Sequence, residues 1–380
     1  MAAPDPGGTF VYANPPEIHW GPGCAERPLA AALDRLRARR VFLVTTRSVA
    51  ASPRLGGALR RLLGDRLVGE FGAVGQHAPA SAVSSAAAAA RAARPDALLS
   101  LGGGSPIDAA KAVALNLATG IDVAEPDALA RAREATVERG ALPPHLAVPT
   151  TLSAAELASG AGFTDEGSGE KLGLRVPALL PAAVFYDAAL ALETPLELWL
   201  SSGIRAVDHA VECLLAPASH PFADTLALEG LRRLRAGLLA TRRDPTDLAA
   251  RTESQLGAWF SYTLPGPTAA GLSHTLGKRL GSRHGIPHGL TSCLLLPHVM
   301  RYLAPRTAEP QSRIAAALGA DPSRPGAAAD AVAALIAQLA LPRHLAAYNL
   351  TERDLDQAVA PVVDEHHSAG DLRAILQAAW

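Results

Sequence analysis

Two stretches of the chain carry chemically capable side chains at intervals that a fold can bring together. In SSGIRAVDHAVECLLAP (201–217), apolar residues recur at Ile204, Val207, Val211, Leu214 and Leu215, close to a 3.6-residue period, which predicts an amphipathic helix. Arg205 and His209 then lie one turn apart on one face. In GLSHTLGKRLGSRHGIPHGLTSCLLLPHV (271–299), His274 and Lys278 repeat that four-residue spacing, and His288 follows Pro287 in a loop punctuated by Gly285 and Gly289. Two polar side chains one turn apart, joined by two histidines from a later helix and loop, are the plan of a four-ligand divalent metal site. One ligand is of the wrong kind, because a guanidinium at position 205 cannot lose its proton and repels a cation. Asp208 is the adjacent carboxylate. At about 100° per residue its direction differs from that of Arg205 by roughly 300°, so it is expected to be a poor substitute. The imidazoles of His209, His274 and His288 are therefore read as vestigial ligands, with no metal expected.

A second signal lies earlier, in LLSLGGGSPIDAAK (98–111). An apolar strand runs straight into Gly102, Gly103 and Gly104, whose missing side chains let backbone N–H groups approach a pyrophosphate. A helix follows, and its N-terminus favours anions. Ser105 is expected to cap that helix. In VFLVTT (41–46) the strand ends at neutral Thr46, followed by Arg47, where an acidic residue would be placed for a ribose 2′-hydroxyl. This favours NADPH over NADH and leaves NADH open.

In chain order, GGGSPIDAAK (102–111), VPTTLSAAE (148–156), GIRAVDHAVE (203–212) and HTLGKRLGSRHGIPHGLTSCLLLPH (274–298) resemble the motifs of the iron-containing alcohol dehydrogenase superfamily, and within it most the maleylacetate reductase branch. The resemblance covers nearly the whole chain. It implies cofactor contacts at Asp108, Thr150, Thr151 and Lys171, the last near the cofactor ribose. It also marks departures: Arg205 stands where the family has a metal-binding Asp, Lys278 where it has a second histidine, and Ala154–Ala155 where many relatives have Gly-Ser. The branch resembles a version of the site that has lost its carboxylate ligand. Arg205, Lys278, Arg283 and His284 share a positive sign, which favours a substrate bearing a carboxylate or other oxyanion. The implied reaction is hydride transfer from NADPH or NADH to a carbonyl or enone of a small acidic substrate. Arg205 and Lys278 would stabilise developing charge, with His274 or Lys278 giving the proton beside His209 and His288. The rival readings are a zinc or iron alcohol dehydrogenase using the three histidines, a lyase-like enzyme on the related dehydroquinate synthase fold, and a cofactor-binding scaffold without catalysis.

The elements that must position these residues follow from the rest of the chain. At 380 residues, 49% of them hydrophobic and with a formal charge of −1, the chain suits two domains and is neither a disordered polymer nor a nucleic-acid binder. Cys24, Cys213 and Cys293 form no pair by spacing and read as reduced, mostly buried thiols of a cytoplasmic protein. No secretory signal or membrane span is expected, and the resemblance implies a homodimer. Edge strands are expected around Thr9–Tyr12 and Ile18–Trp20, and further strands at 41–46, 68–74 and 96–102. The Ala-rich stretch 81–93 reads as an exposed helix, and 162–174 as a hairpin. From Pro195 onward only helical patterns occur: 196–216, 221–240, 246–263, 268–281, 290–303, 308–319, 325–340, 351–361 and 369–379. The expected fold class is an α/β dinucleotide-binding domain (1–188) followed by an all-α catalytic domain (189–380), with the cleft between them.

Overall fold

The structure, a computed structural model, describes residues 12–135, 137–217, 220–262, 271–364 and 366–380. The strand expected at Thr9–Tyr12 falls almost wholly outside them. The first half alternates strand and helix: β1 (Glu17–Trp20), α1 (Arg27–Arg35), β2 (Val41–Thr45), α2 (Arg47–Ala51), α3 (Gly56–Leu63), β3 (Leu67–Phe71), α4 (Ala80–Ala93), β4 (Ala97–Gly102), α5 (Gly104–Thr119), α6 (Ala128–Glu134) and β5 (His145–Pro149). The hairpin β6 (Gly160–Thr164) and β7 (Lys171–Arg175) comes next, then β8 (Ala183–Tyr186) and α7 (Ala188–Ala191).

Six strands form a parallel sheet in the order β1-β8-β5-β4-β2-β3. Strands β2, β4, β5 and β8 are buried at every position, as continuous apolar runs covered on both faces must be. One face packs Val83, Ala86 and Ala90 of α4 and Val113 of α5. The other packs Leu29 and Leu33 of α1 and Leu59 of α3. The Ala-rich helix is thus half-buried rather than exposed: its alanines let it lie close against the sheet, and only one side meets water. After β3 the chain returns to the other side of β2, so the strand order reverses between β2 and β4, where α/β sheets open a crevice beyond the strand ends.

Every described element from α8 onward is helical: α8 (Leu196–Leu215), α9 (Pro221–Arg243), α10 (Leu248–Ser261), α11 (Leu272–His284), α12 (His288–Leu303), α13 (Ala308–Ala317), α14 (Ala327–Gln338), α15 (Glu352–Val359) and α16 (Ala369–Ala378), with short 3₁₀ turns between. Among the described residues no helix is long and apolar enough to cross a membrane. Cys213 and Cys293 are buried and Cys24 is half-buried.

Two sequence expectations need correcting here. Helix α8, expected to be amphipathic, is buried nearly all round, because its polar residues Asp208, His209 and Glu212 face other helices and the cleft. His288 does not sit in a loop but opens α12. Gly285 at φ +65 ends α11, Pro287 is the N-cap of α12, and Gly289 lies so near α8 that a Cβ would stand 2.5 Å from Ser201. That close crossing turns the first residue of α12 toward the cleft.

Candidate active site

A cleft of about 1820 Å³ separates the sheet's carboxyl edge from the helical half. Polar bonds join its two walls: Thr194 Oγ1 donates to the Thr150 carbonyl at 2.7 Å, and the Leu152 N–H donates to Ser202 Oγ at 3.1 Å.

On the sheet wall, Gly102 ends β4 at φ +136, a conformation that side chains rarely adopt. Gly103 is the N-cap of α5, which begins at Gly104, so this 16-residue helix points its free N–H groups into the cleft. The Thr150 N–H donates to the Gly102 carbonyl at 2.9 Å, which sets the turn after β5 beside the glycine loop. Thr151 packs over Gly103, where an added Cβ would come within 3.2 Å of it. Ser105 does not cap α5; its hydroxyl accepts the His77 N–H at 3.0 Å. Thr46 is the N-cap of α2, accepting from the Val49 N–H at 3.4 Å, and Arg47 is exposed beside it at the cleft wall. One turn into α5, Asp108 accepts the Gly162 N–H at 3.1 Å and lies 3.7 Å from the buried Lys111 ammonium. Lys111 also donates to the carbonyls of Ala155 and Gly160, tying α5 to the hairpin.

The opposite wall is built on α8, α11 and α12. The Arg205 side chain is only 14% exposed; it donates to Ser292 Oγ at 3.2 Å and lies 3.6 Å from Asp208 Oδ2. Asp208 Oδ2 also accepts from Ser273 at 3.0 Å and Ser292 at 2.6 Å, so one carboxylate pins three helices. Asp208 was expected to point away from Arg205, yet 300° around a helix is only 60° in the other sense. Residues at i and i+3 are neighbours.

Glu212 lies one turn further along α8. Its oxygens accept N–H groups at the start of α11, from Gly271 at 2.9 Å and His274 at 3.0 Å, and Oε2 sits 2.6 Å from His274 Nδ1. The His209 and His274 rings have centroids 4.9 Å apart, and Tyr262 stands edge-on to His209 at 5.0 Å. His288 Nε2 lies 2.9 Å from Lys171 Nζ, and its ring meets that of His77 at 4.8 Å.

Charges follow from burial and from this run of cations. Burial pushes the Lys171 ammonium down to about 8; Asp108 opposes this, and Arg205 and Lys278 add to it. Burial and Arg205 depress His274 to about 3, and His288 falls further still, through burial, Lys171 and Arg205. Burial and Lys171 lower His77 to about 4. These imidazoles are thus neutral near pH 7. Glu212 rises to about 7 through burial, resisted by the N–H groups it accepts and by Arg205.

The cleft therefore gathers Thr46, Arg47, Gly103, Gly104, Ser105, Asp108, Thr150, Thr151 and Lys171 with Arg205, His209, His274, Lys278 and His288. Gly102 stands behind the lining. Lys278 lines the cleft but is exposed, and Arg283 and His284 lie at its rim, His284 3.6 Å from Asp354. Lys171 reaches the imidazole cluster itself, beyond its expected place at a ribose. Sequence reasoning assigned no role to His77, Glu212 or Tyr262. Glu212 was visible three residues after His209 on the same helix, whereas His77 has no local motif and is held at φ +61 by tertiary contacts.

A divalent metal needs donor atoms that converge with free lone pairs. Among the described residues the three imidazoles do not bring their nitrogens within 4.8 Å of one another; Asp208, Glu212 and His274 do. In that group both Glu212 oxygens and Asp208 Oδ2 already accept hydrogen bonds, Asp208 Oδ1 and His274 Nδ1 have no hydrogen-bond partner, and the Arg205 guanidinium lies 3.6 Å from Asp208 Oδ2.

Sequence comparison decides the family. Residues 15–188 match the iron-containing alcohol dehydrogenase model, and residues 199–379 match the C-terminal model of the Fe-containing alcohol dehydrogenase family. The chain belongs to this family. Within it, the chain is 33% identical over 379 residues to maleylacetate reductase 2 of Cupriavidus pinatubonensis, covering 96% of this chain and 95% of the relative. It is 32% identical over 311 residues to the maleylacetate reductase of Sphingobium indicum, covering 82% and 80%. The crystal structure of the maleylacetate reductase from Agrobacterium tumefaciens superposes with a TM-score of 0.82 at 30% identity, over 98% of each chain. The protein is thus an NAD(P)-dependent oxidoreductase of the maleylacetate reductase branch, and its two-part fold is that of the family.

Proposed function

We propose that the protein reduces a carbonyl or enone of a small acidic substrate, such as maleylacetate or a related oxo-acid, without a resident metal. The observation that carries this reading is the Arg205 guanidinium, fixed at the cleft between Asp208 and Ser292, where a metal-dependent site would need a carboxylate. The donor set fits a divalent cation badly: the convergent oxygens already serve hydroxyl and amide donors, and His288 faces the Lys171 ammonium. In place of a Lewis acid, Arg205 and Lys171 stabilise the oxyanion that develops on the substrate. Arg205 pairs with the substrate carboxylate or oxo group, His274 delivers the proton, and His209 and His288 shape the pocket. Lys278 contributes a longer-range positive potential from the mouth.

The glycine loop, Thr150 and Thr151 suit a dinucleotide, which supplies the hydride when bound. Gly103 and Gly104 leave room for the pyrophosphate, Thr46 with Arg47 favours the 2′-phosphate of NADPH, and Asp108 and Lys171 mark the nicotinamide end. In this reading residues 1–188 hold the cofactor and 189–380 supply the catalytic wall, in a cytoplasmic homodimer. The test is NADPH and NADH oxidation by the purified protein with maleylacetate, its neutral diester and simple aldehydes, alongside elemental analysis. We expect a preference for the acid, well under one equivalent of zinc or iron, and activity that survives chelation. Stoichiometric metal, with activity lost to a chelator and restored by the metal, would overturn it.

A further inference from the structure

The hairpin of β6 and β7 has two unlike faces. Leu172 and Leu174 of β7, with Ala161 and Phe163 of β6, pack into the apolar core of the sheet domain. Side chains alternate along a strand, so Lys171, Gly173 and Arg175 point the other way, and all three line the cleft. Residues directly opposed in an antiparallel pair share a face, which sets Gly162 beside Gly173 and Gly160 beside Arg175. The cleft face of β7 thus carries one cation at each end, with their Cα atoms about 13 Å apart, and glycines between. A Cβ added at Gly173 would meet nothing nearer than the Ala161 carbonyl at 3.8 Å, so the floor between the cations is open.

The two cations are differently engaged. Lys171 meets His288 at 2.9 Å. Arg175 is exposed, and among the described residues its guanidinium has no ion pair or hydrogen bond, whereas Arg279 at the mouth lies 3.8 Å from Glu170. Tyr262 stands at the same end of the cleft: among the charges acting on its hydroxyl, Arg175 ranks first, ahead of Asp108 and Arg205. Arg205 acts on both Lys171 and Tyr262 from the helical wall, so it is within reach of either end of the row.

We infer that Arg175 is a specificity-determining residue, whose guanidinium takes a second carboxylate of the substrate while Arg205 takes the first. The inference deepens the acidic-substrate reading above and rests on it. A guanidinium pairs with a carboxylate through two parallel N–H donors, and the glycine floor lets the carbon chain between the two carboxylates lie against the hairpin backbone. A monocarboxylate leaves Arg175 in water, which costs nothing, so the selection comes from the pair gained with the second carboxylate.

The experiment compares Arg175→Met with wild type, using NADPH and maleylacetate, its two monomethyl esters and its dimethyl ester. Methionine keeps the apolar stem and removes the charge at an exposed strand end. We expect kcat/KM to fall about 10-fold or more on maleylacetate and on one monoester, the scale of a hydrogen bond to a charged group. The other monoester, the diester and NADPH affinity should hardly change. Equal factors on all four compounds, a change within about threefold on maleylacetate, or a loss of NADPH affinity instead would overturn the inference. The acidic-substrate reading is judged separately on wild type, and fails if maleylacetate and its diester are reduced alike. Calorimetry on the NADPH complex tests Arg175 even then, with adipate and hexanoate, which carry no reducible group. Wild type should bind the dicarboxylate more tightly and Arg175→Met should bind the two alike; the same preference in both proteins would overturn the inference.

Discussion

Replacing Arg205 by alanine tests whether the charge of the site selects the substrate. The guanidinium is nearly enclosed, with a neutral hydroxyl at 3.2 Å and a carboxylate at 3.6 Å, so its free donors face the cleft. Truncating one partner of a hydrogen-bonded charge pair in such a place costs about 2–5 kcal/mol. At 1.36 kcal/mol per decade this is a loss of roughly 30- to 5,000-fold in kcat/KM for an anionic substrate. Part of the change will be structural, because Asp208 loses its counter-ion. That loss is softened by Ser273 and Ser292, which continue to donate to Oδ2. The assay therefore compares kcat/KM for maleylacetate with that for its neutral diester in both proteins. Damage to the fold lowers both values and cancels in the ratio, whereas a lost carboxylate contact lowers only the first. Affinity for NADPH should hardly change, since Arg205 belongs to the helical wall. If wild type shows no preference for the acid and Arg205→Ala leaves the ratio unchanged, Arg205 only fills space, and the reasoning from charge fails.

Three further outcomes are expected. Lys171, lowered to about 8, carries its proton at neutral pH and loses it as pH rises. kcat/KM for the acid should therefore fall above about pH 8, more than for the ester, and Lys171→Arg should move that limb to higher pH; a flat profile would remove Lys171 from the charge argument. Thr46→Asp keeps an N-cap on α2, because aspartate caps as threonine does, and should weaken NADPH binding far more than NADH. Equal effects in a titration of both cofactors would place the adenosine end elsewhere. Ala154 is fully buried at φ +59, so Ala154→Gly should raise stability by up to about 1 kcal/mol, the left-handed penalty less the glycine's entropy; an unchanged or lower denaturation midpoint would refute that.

The sheet was legible because parallel strands covered on both faces need unbroken apolar runs, as at 41–45 and 97–101. The glycine turn between β4 and α5 was legible because an apolar run, three glycines and a helical pattern follow one another in the chain. Site residues on one helix were legible through the four-residue period that pairs Arg205 with His209. What escaped was contact between elements. The Lys171–His288 approach joins a hairpin to a helix start 117 residues away, and no local pattern encodes it. Polarity alone does not separate a cleft face from a solvent face: on α8, Asp208, His209 and Glu212 are turned inward by the packing of α11 and α12. The loop expected around His288 failed for a related reason, since Gly289 is there for the close crossing with α8 and does not break the helix.

A buried guanidinium cannot shed its charge as a buried lysine or histidine can, so its site must carry a counter-ion, and Asp208 is the group in contact with it. In a metal site a carboxylate surrounds a free cation; here the cation is fixed to α8 and the carboxylate comes from the next turn of the same helix. Stability at the two positions must then be coupled. Asp208→Asn leaves Arg205 buried without its partner and should destabilise by about 3–5 kcal/mol, as breaking a buried pair does. Arg205→Ala should cost less, because Asp208 keeps two hydroxyl donors. The double variant should be milder than the sum of the singles by about 0.5–3 kcal/mol, the range for residues in one network. Urea denaturation of the four proteins measures the cycle. Additivity within about 0.5 kcal/mol would mean that the pair is not a unit, and that the serines alone, with Asp208, tie α8 to α11 and α12.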